Sequence, residues 1–188
     1  MKITRQPGTW LYPVPPVLVS CQSSGSANII TLAWAGVACS DPAIISLGIR
    51  PERYSYGIIK ESGEFVVNMP KASQMELVDI CGTTSGRDYD KFAECGFTAL
   101  PATRLGVPLI AECPVNVECR VIRVISLGSH DLFLGKVVCV HYDEECAKND
   151  RFDLTSADPL VYGFGHYYGL GELLGSHGES LHRKRWSS

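Results

Sequence analysis

The chain has 188 residues, of which 45% are hydrophobic and 20% charged, and a formal charge of −3. That length suits one domain with a core of ordinary size. The slight acidic excess offers nothing to nucleic acid or to an anionic membrane surface. No apolar run approaches the roughly 20 residues needed to cross a bilayer, so a cytoplasmic protein is expected.

The opening stretch, MKITRQPGTWLYPVPP, has no apolar centre and is not expected to be a secretory leader. Its prolines make residues 10–16 an extended entry. Residues 17–21 read as a strand, 23–26 as a turn and 28–34 as a second strand, together a hairpin. Alternation puts Asn28, Ile30, Leu32 and Trp34 on one face of the second strand and Ile29, Thr31 and Ala33 on the other. Residues 39–42 turn into a third strand that runs to Ile49.

Arg50 and Arg53 follow, and then Tyr54, Ile58 and Ile59 fall on one side of a short helix. Pro51 is expected at its first position and Gly63 just past its end. A further strand covers 64–68. The two arginines thus stand where a strand hands over to a helix, and Ser55 adds a hydroxyl. Free N–H groups and guanidiniums at such a place suit a phosphate. Solvated loop charges are the alternative, and Glu52 is compatible with the phosphate only if its carboxylate points away.

Residues 74–81 read as a short helix. The stretch 83–92 is polar and turn-rich, and becomes helical through Phe92 and Cys95. Residues 100–108 form a loop. In 115–125, Val115, Val117, Cys119 and Val121 alternate with Asn116, Glu118 and Arg120, which predicts one wet face. Residues 130–142 are apolar on both faces, so a second layer or another subunit must cover them. Residues 127–129 make the turn between. Beyond about 150 the chain is rich in glycine and aromatics and ends in the basic run 182–186. The domain boundary is set at 1–150, with 151–188 as an extension packed on the barrel or on a partner subunit. Many strands, short inserted helices and no βαβ alternation favour a mainly β fold, a closed antiparallel barrel.

Eight cysteines are spread through apolar segments without a C-x-x-C pair, and read as buried free thiols. No metal site is expected from their spacing or from that of the histidines. Gly163-x-Gly165 and Gly169-x-Gly171 do not complete a dinucleotide fingerprint and read as tail glycines. Ser129-His130-Asp131 holds the residue types of a catalytic triad, but neighbouring strand residues point to opposite faces. No residue stands out as a catalytic acid or base.

Several landmarks in order resemble the flavin reductase-like, FMN-binding split-barrel family, most closely the flavoredoxins. They are Tyr12-Pro13-x-Pro15, Asn28-x-x-Thr31-x-x-Trp34, Ser40-Asp41-Pro42, Arg50-x-x-Arg53-Tyr54-Ser55, residues 63–68, Ser85-Gly86-Arg87-x-x-Asp90-Lys91-Phe92 and residues 128–135. The resemblance spans about residues 10–145. It implies a split β-barrel of antiparallel Greek-key strands, FMN as cofactor and a homodimer. It further implies that Asn28, Thr31 and Trp34 line the ring and ribityl region, that Arg50, Arg53, Tyr54 and Ser55 take the phosphate, and that Ser85, Lys91 and Phe92 close the pocket. By the same resemblance His130 lies near the ring, from its own chain or its partner's. An FMN-dependent oxidoreductase is then expected, exchanging electrons with NAD(P)H or a redox protein. A non-enzymatic electron carrier and a non-redox FMN-binding module are the alternatives. Arg50-Pro51-Glu52-Arg53 stands where many flavin reductases carry a Ser-Ser-x-Thr type stretch, a departure that favours flavoredoxins.

Overall fold

The computed structural model describes residues 1–179, so the basic run 182–186 lies outside the described residues. Strands β1 (Val17–Ser23), β2 (Ser26–Leu32), β3 (Ala35–Ser40), β4 (Ala43–Ile49) and β5 (Glu64–Met69) come first, with helix α1 (Tyr54–Ser62) before β5. Helices α2 (Met75–Thr83) and α3 (Lys91–Glu94) follow, then the short pair β6 (Ala99–Leu100) and β7 (Leu109–Ile110). Two long strands, β8 (Val115–Ser126) and β9 (Asp131–Tyr142), complete the main sheet. The rest comprises β10 (Ala147–Lys148), β11 (Arg151–Phe152), α4 (Leu154–Ala157), β12 (Leu160–Gly163) and β13 (His166–Gly169).

The main sheet has seven strands in the order β2-β1-β5-β8-β9-β4-β3, and every described pairing in it is antiparallel. Its two edges, β2 and β3, are consecutive in the chain and are joined only through Ala33 and Trp34. In a flat sheet those edges would lie about 29 Å apart at ordinary strand spacing, and two residues reach only about 7 Å. The sheet therefore curls until its edges approach, which gives a split barrel. Its interior is filled by alternate residues such as Val17, Val19, Leu47, Ile49, Phe65 and Phe133. The outward residues of β1 and β2 are also buried: Leu18 and Ile29 pack with Val78, Cys81 and Cys95 from the α2–α3 region. Burial on both faces explains why β1 reads as an unbroken apolar run.

α1 closes one end of the barrel by burying Ile58 and Ile59, worth about 1.5–3 kcal/mol each. Gly63 ends it in the left-handed region at φ 69°, as its position in the sequence predicts. Pro51 does not open the helix. It sits in a turn two residues before the N-cap, Arg53, because the backbone must first swing out of β4.

Four further expectations are corrected. β3 is a strand that its sequence hides: AGVACS has no alternation, since it is an exposed edge that borrows its ladder from β4 and carries a bulge between Val37 and Cys39. As a result Trp34 lies in the bend before β3, not within a strand. The wet face foreseen for β8 is dry where the 99–110 loop covers it, leaving Asn116 8% and Glu118 0% exposed. The glycines at 163, 165 and 169 belong to or flank the hairpin β12–β13, which packs Leu160 into the core and bridges back to Val14. All eight cysteines are free, and six are buried. Burial pushes Cys21, Cys81 and Cys119 each up to about 12.

Candidate functional site

Two cavities adjoin at the barrel seam and share Ile30, Arg53 and Gly82. The larger, about 250 Å³, is bordered by Tyr12, Thr31, Trp34, Gly48, Arg50, His130 and Tyr162. The smaller, about 170 Å³, is bordered by Asn28, Glu52, Tyr54, Ser55, Cys81, Ser85, Arg87 and Lys91, among others. Ten of the eleven residues singled out from the sequence therefore line one groove. The exception is Phe92, which packs against the core cluster beneath α2 and α3.

Local contacts explain how the groove is held open. Asn28, 4% exposed, donates from Nδ2 to the Ser55 hydroxyl at 2.7 Å, tying β2 to the first turn of α1. Gly86 lies so close to Asn28 that a Cβ there would sit 2.1 Å from Oδ1, so the loop can reach the groove only with glycine at this position. Thr31 donates to the Val78 carbonyl at 2.5 Å, which anchors α2 and fully uses the hydroxyl proton. Trp34 and His130 touch with ring centroids 4.4 Å apart and planes tilted by 47°, an aromatic border to the larger cavity. His130 thus reaches the cavity of its own chain.

Ser129 and His130 sit in the turn before β9 and do touch, Oγ to Nδ1 at 2.9 Å. Asp131 joins no relay with them, because its carboxylate accepts the Tyr56 hydroxyl at 2.7 Å. Burial and then the nearby Arg50 and Arg53 charges hold His130 below the ordinary histidine value.

The charge of the smaller cavity is one-sided. Lys91, which the resemblance has closing the pocket, does border this cavity and forms no pair with Asp90. It is 3% exposed and donates to the carbonyls of Ile29 at 2.8 Å and Cys81 at 2.6 Å. Asp90 caps α3 through the N–H groups of Phe92 and Ala93. Burial holds Lys91 below the usual lysine range. Arg53 borders both cavities, and Arg87 stacks over the Tyr54 ring at 5.3 Å. Among the described residues, none of Arg53, Arg87 and Lys91 forms an ion pair. The only carboxylate on this cavity, Glu52, is exposed and pairs with Arg50 at 3.6 Å. No side chain caps the start of α1. Three cations and an uncapped helix start around one small cavity suit an anion. Arg87, Tyr12 and Tyr162 are not among the residues assigned to the site from the sequence, although the aromatic tail holding Tyr162 offers a cover for the ring face or simple packing. Arg87 stood inside a quoted landmark, whereas Tyr162 reaches the groove only through the tail hairpin.

Fold and groove together define a split-barrel protein whose seam suits an anion at one end and a flat ring at the other. The chain belongs to the flavin reductase-like family: the family described as Flavin reductase like domain matches residues 9–171, a span that includes the tail hairpin. A solved flavoredoxin of Desulfovibrio vulgaris is 32% identical, with a TM-score of 0.89 over 94% of this chain and 97% of that one. An FMN-binding protein from Thermus thermophilus, solved with bound p-hydroxybenzaldehyde, is 26% identical, with a TM-score of 0.79 over 94% of this chain and 97% of that one. A ferric-chelate reductase (NAD(P)H) of Archaeoglobus fulgidus is 31% identical over 121 residues, covering 63% of this chain and 67% of its own length. No helix among the described residues is long and apolar enough to cross a membrane.

Proposed function

We propose that the chain binds FMN in the joined groove and serves as a flavoprotein oxidoreductase. The observation that carries this reading is the smaller cavity, where Arg53, Arg87 and the buried Lys91 stand without a carboxylate partner. A phosphate there would meet charge-assisted donors and the start of α1. The larger cavity then takes the ring system, with the tilted Trp34–His130 pair, Tyr12 and Tyr162 at its border. Bound FMN supplies the redox chemistry, and the protein supplies binding, orientation and electrostatics. The test is titration of cofactor-free protein with FMN, followed by flavin fluorescence. Saturable binding in the micromolar range or tighter supports the reading, and no binding overturns it.

Likeness to a flavoredoxin supports a carrier that exchanges electrons with protein partners, whereas likeness to a ferric-chelate reductase supports an NAD(P)H-linked enzyme. We infer a reductase in which nicotinamide approaches the open side of the groove. Anaerobic mixing of the loaded protein with NADH or NADPH separates the two. Bleaching within seconds supports the reductase, and none over many minutes supports the carrier. A flavin that resists dithionite would remove both.

The reading includes a homodimer. On β9, Val140 is 54% and Tyr142 46% exposed, beyond the bulge at Val138, where they pair with Val117 and Val115 of β8. A second copy of this strand face would cover them, as in obligate interfaces. Light scattering at low micromolar concentration that gave the 20.5 kDa monomer would refute the dimer.

A further inference from the structure

A second constellation, away from the groove, lies under the 99–110 loop. Glu118 on β8 faces Cys139 on β9 as a direct cross-strand pair, and His141 sits one rung further along the same side of the hairpin. One ligand atom from each, carboxylate oxygen, thiol sulfur and imidazole nitrogen, lies within 4.8 Å of the others. His141 Nε2 and Glu118 Oε1 are already 2.7 Å apart. None of the three borders either cavity of the groove.

We propose that Glu118, Cys139 and His141 form a binding site for a divalent transition metal of the zinc type. The ligand chemistry fits. Zinc takes thiolate, imidazole and carboxylate, and three protein ligands leave a fourth position for water or another ligand. Zinc bond lengths set neighbouring ligand atoms roughly 3.3–3.7 Å apart. Closing the set on an ion therefore needs only shifts on the order of an ångström, with the Glu118–His141 hydrogen bond exchanged for two metal bonds.

The carboxylate is held in place for this. The N–H of Thr103 donates to Oε1 and that of Arg104 to Oε2, each at 2.8 Å. Such outer contacts orient a ligand without using all of its lone pairs. Cys139 is half-buried and, among the described residues, has no hydrogen-bond partner. The His141 side chain is 29% exposed, which leaves an entry path. On binding, the thiol loses its proton to solvent and the sulfur takes up the metal bond, while the His141 proton that now faces Glu118 leaves Nε2, by tautomer exchange to Nδ1 through solvent, so that the Nε2 lone pair meets the metal. Sequence spacing cannot reveal such a site, because its ligands come from two strands and meet only through the β8–β9 register.

The test uses full-length protein stripped with chelator, with and without added FMN, and Zn²⁺ as the probe. One Zn²⁺ per chain is expected, with proton release, and binding is expected to be independent of FMN. Co²⁺ is expected to give a thiolate-to-metal absorption band that Cys139→Ser abolishes. Cys139→Ser and His141→Gln should each weaken Zn²⁺ at least a hundredfold, and Zn²⁺ should protect Cys139, but not Cys39, from a thiol reagent. Unaltered folding of both variants is checked by circular dichroism, and Glu118 is left intact for that reason. Absence of stoichiometric Zn²⁺ binding, or unchanged binding in either variant, overturns the site. Failure of FMN binding alone leaves it standing.

Discussion

Two buried charges invite comparison. Lys91 is 3% exposed and Glu118 0%. Both meet the cost of burial with backbone dipoles. Lys91 gives protons to two carbonyls, and Glu118 accepts from two N–H groups and from His141. The difference lies in the space around them. Glu118 borders neither cavity of the groove and clamps the 99–110 loop at residues 103 and 104. Lys91 borders a cavity, has a third N–H to offer, and has two more cations for neighbours. Glu118 is bound up with a loop and an imidazole, so its loss falls first on the fold, whereas the loss of Lys91 falls first on an anion in the groove.

Replacing Glu118 by Ala is expected to have the largest effect. It leaves two part-buried N–H groups and a half-buried imidazole without their acceptor, at about 1–3 kcal/mol for each that water does not reach. Urea denaturation should register this as a lower midpoint, with FMN affinity little changed. A variant as stable as the parent would break the comparison.

Lys91→Met should divide its effect the other way. Two carbonyls lose a donor, at about 1–3 kcal/mol of stability. FMN should bind roughly tenfold to a hundredfold more weakly, whereas riboflavin, which lacks the phosphate, should be nearly unaffected. Equal loss for the two flavins would move Lys91 away from the phosphate.

Arg53→Ala sharpens the distinction, because Arg53 is exposed and its loss should change stability by less than about 0.5 kcal/mol. Its charge-assisted bonds are worth about 1.5–3 kcal/mol, so FMN alone should weaken, again by roughly tenfold to a hundredfold. Isothermal titration with FMN and riboflavin side by side reads the difference.

The smallest effect is expected at His130. Its folded-state value is depressed below 6.5, so the unfolded chain binds the proton more readily. Its contribution to stability is therefore complete above pH 6.5 and is lost as pH falls toward the folded-state value. NMR titration should give a midpoint below 6.5, and His130→Asn should flatten stability against pH in that window. A midpoint above 6.5 would contradict the crowding of Arg50 and Arg53 around the ring.

The sequence by itself determined the local elements: the β1–β2 hairpin, α1 with its glycine stop, β5, and the long β8–β9 pair. Each follows from apolar periodicity and turn chemistry within about ten residues, where the physics is local. Most of the groove was also legible, since Asn28, Arg53, Ser55 and Lys91 stand in short landmarks of fixed spacing. Only the tertiary structure decided the rest. β3 exists because β4 lends it a ladder, and Tyr162 reaches the groove because the tail folds back on Val14. Glu118 lies inside although its neighbours in sequence predict a wet face, and Lys91 is buried although it stands in a polar, turn-rich stretch. Charged side chains carry no periodic signal for burial. What lets them go inside is a set of backbone dipoles from other segments, residues 103 and 104 for the one and 29 and 81 for the other, and those meet only when the barrel closes.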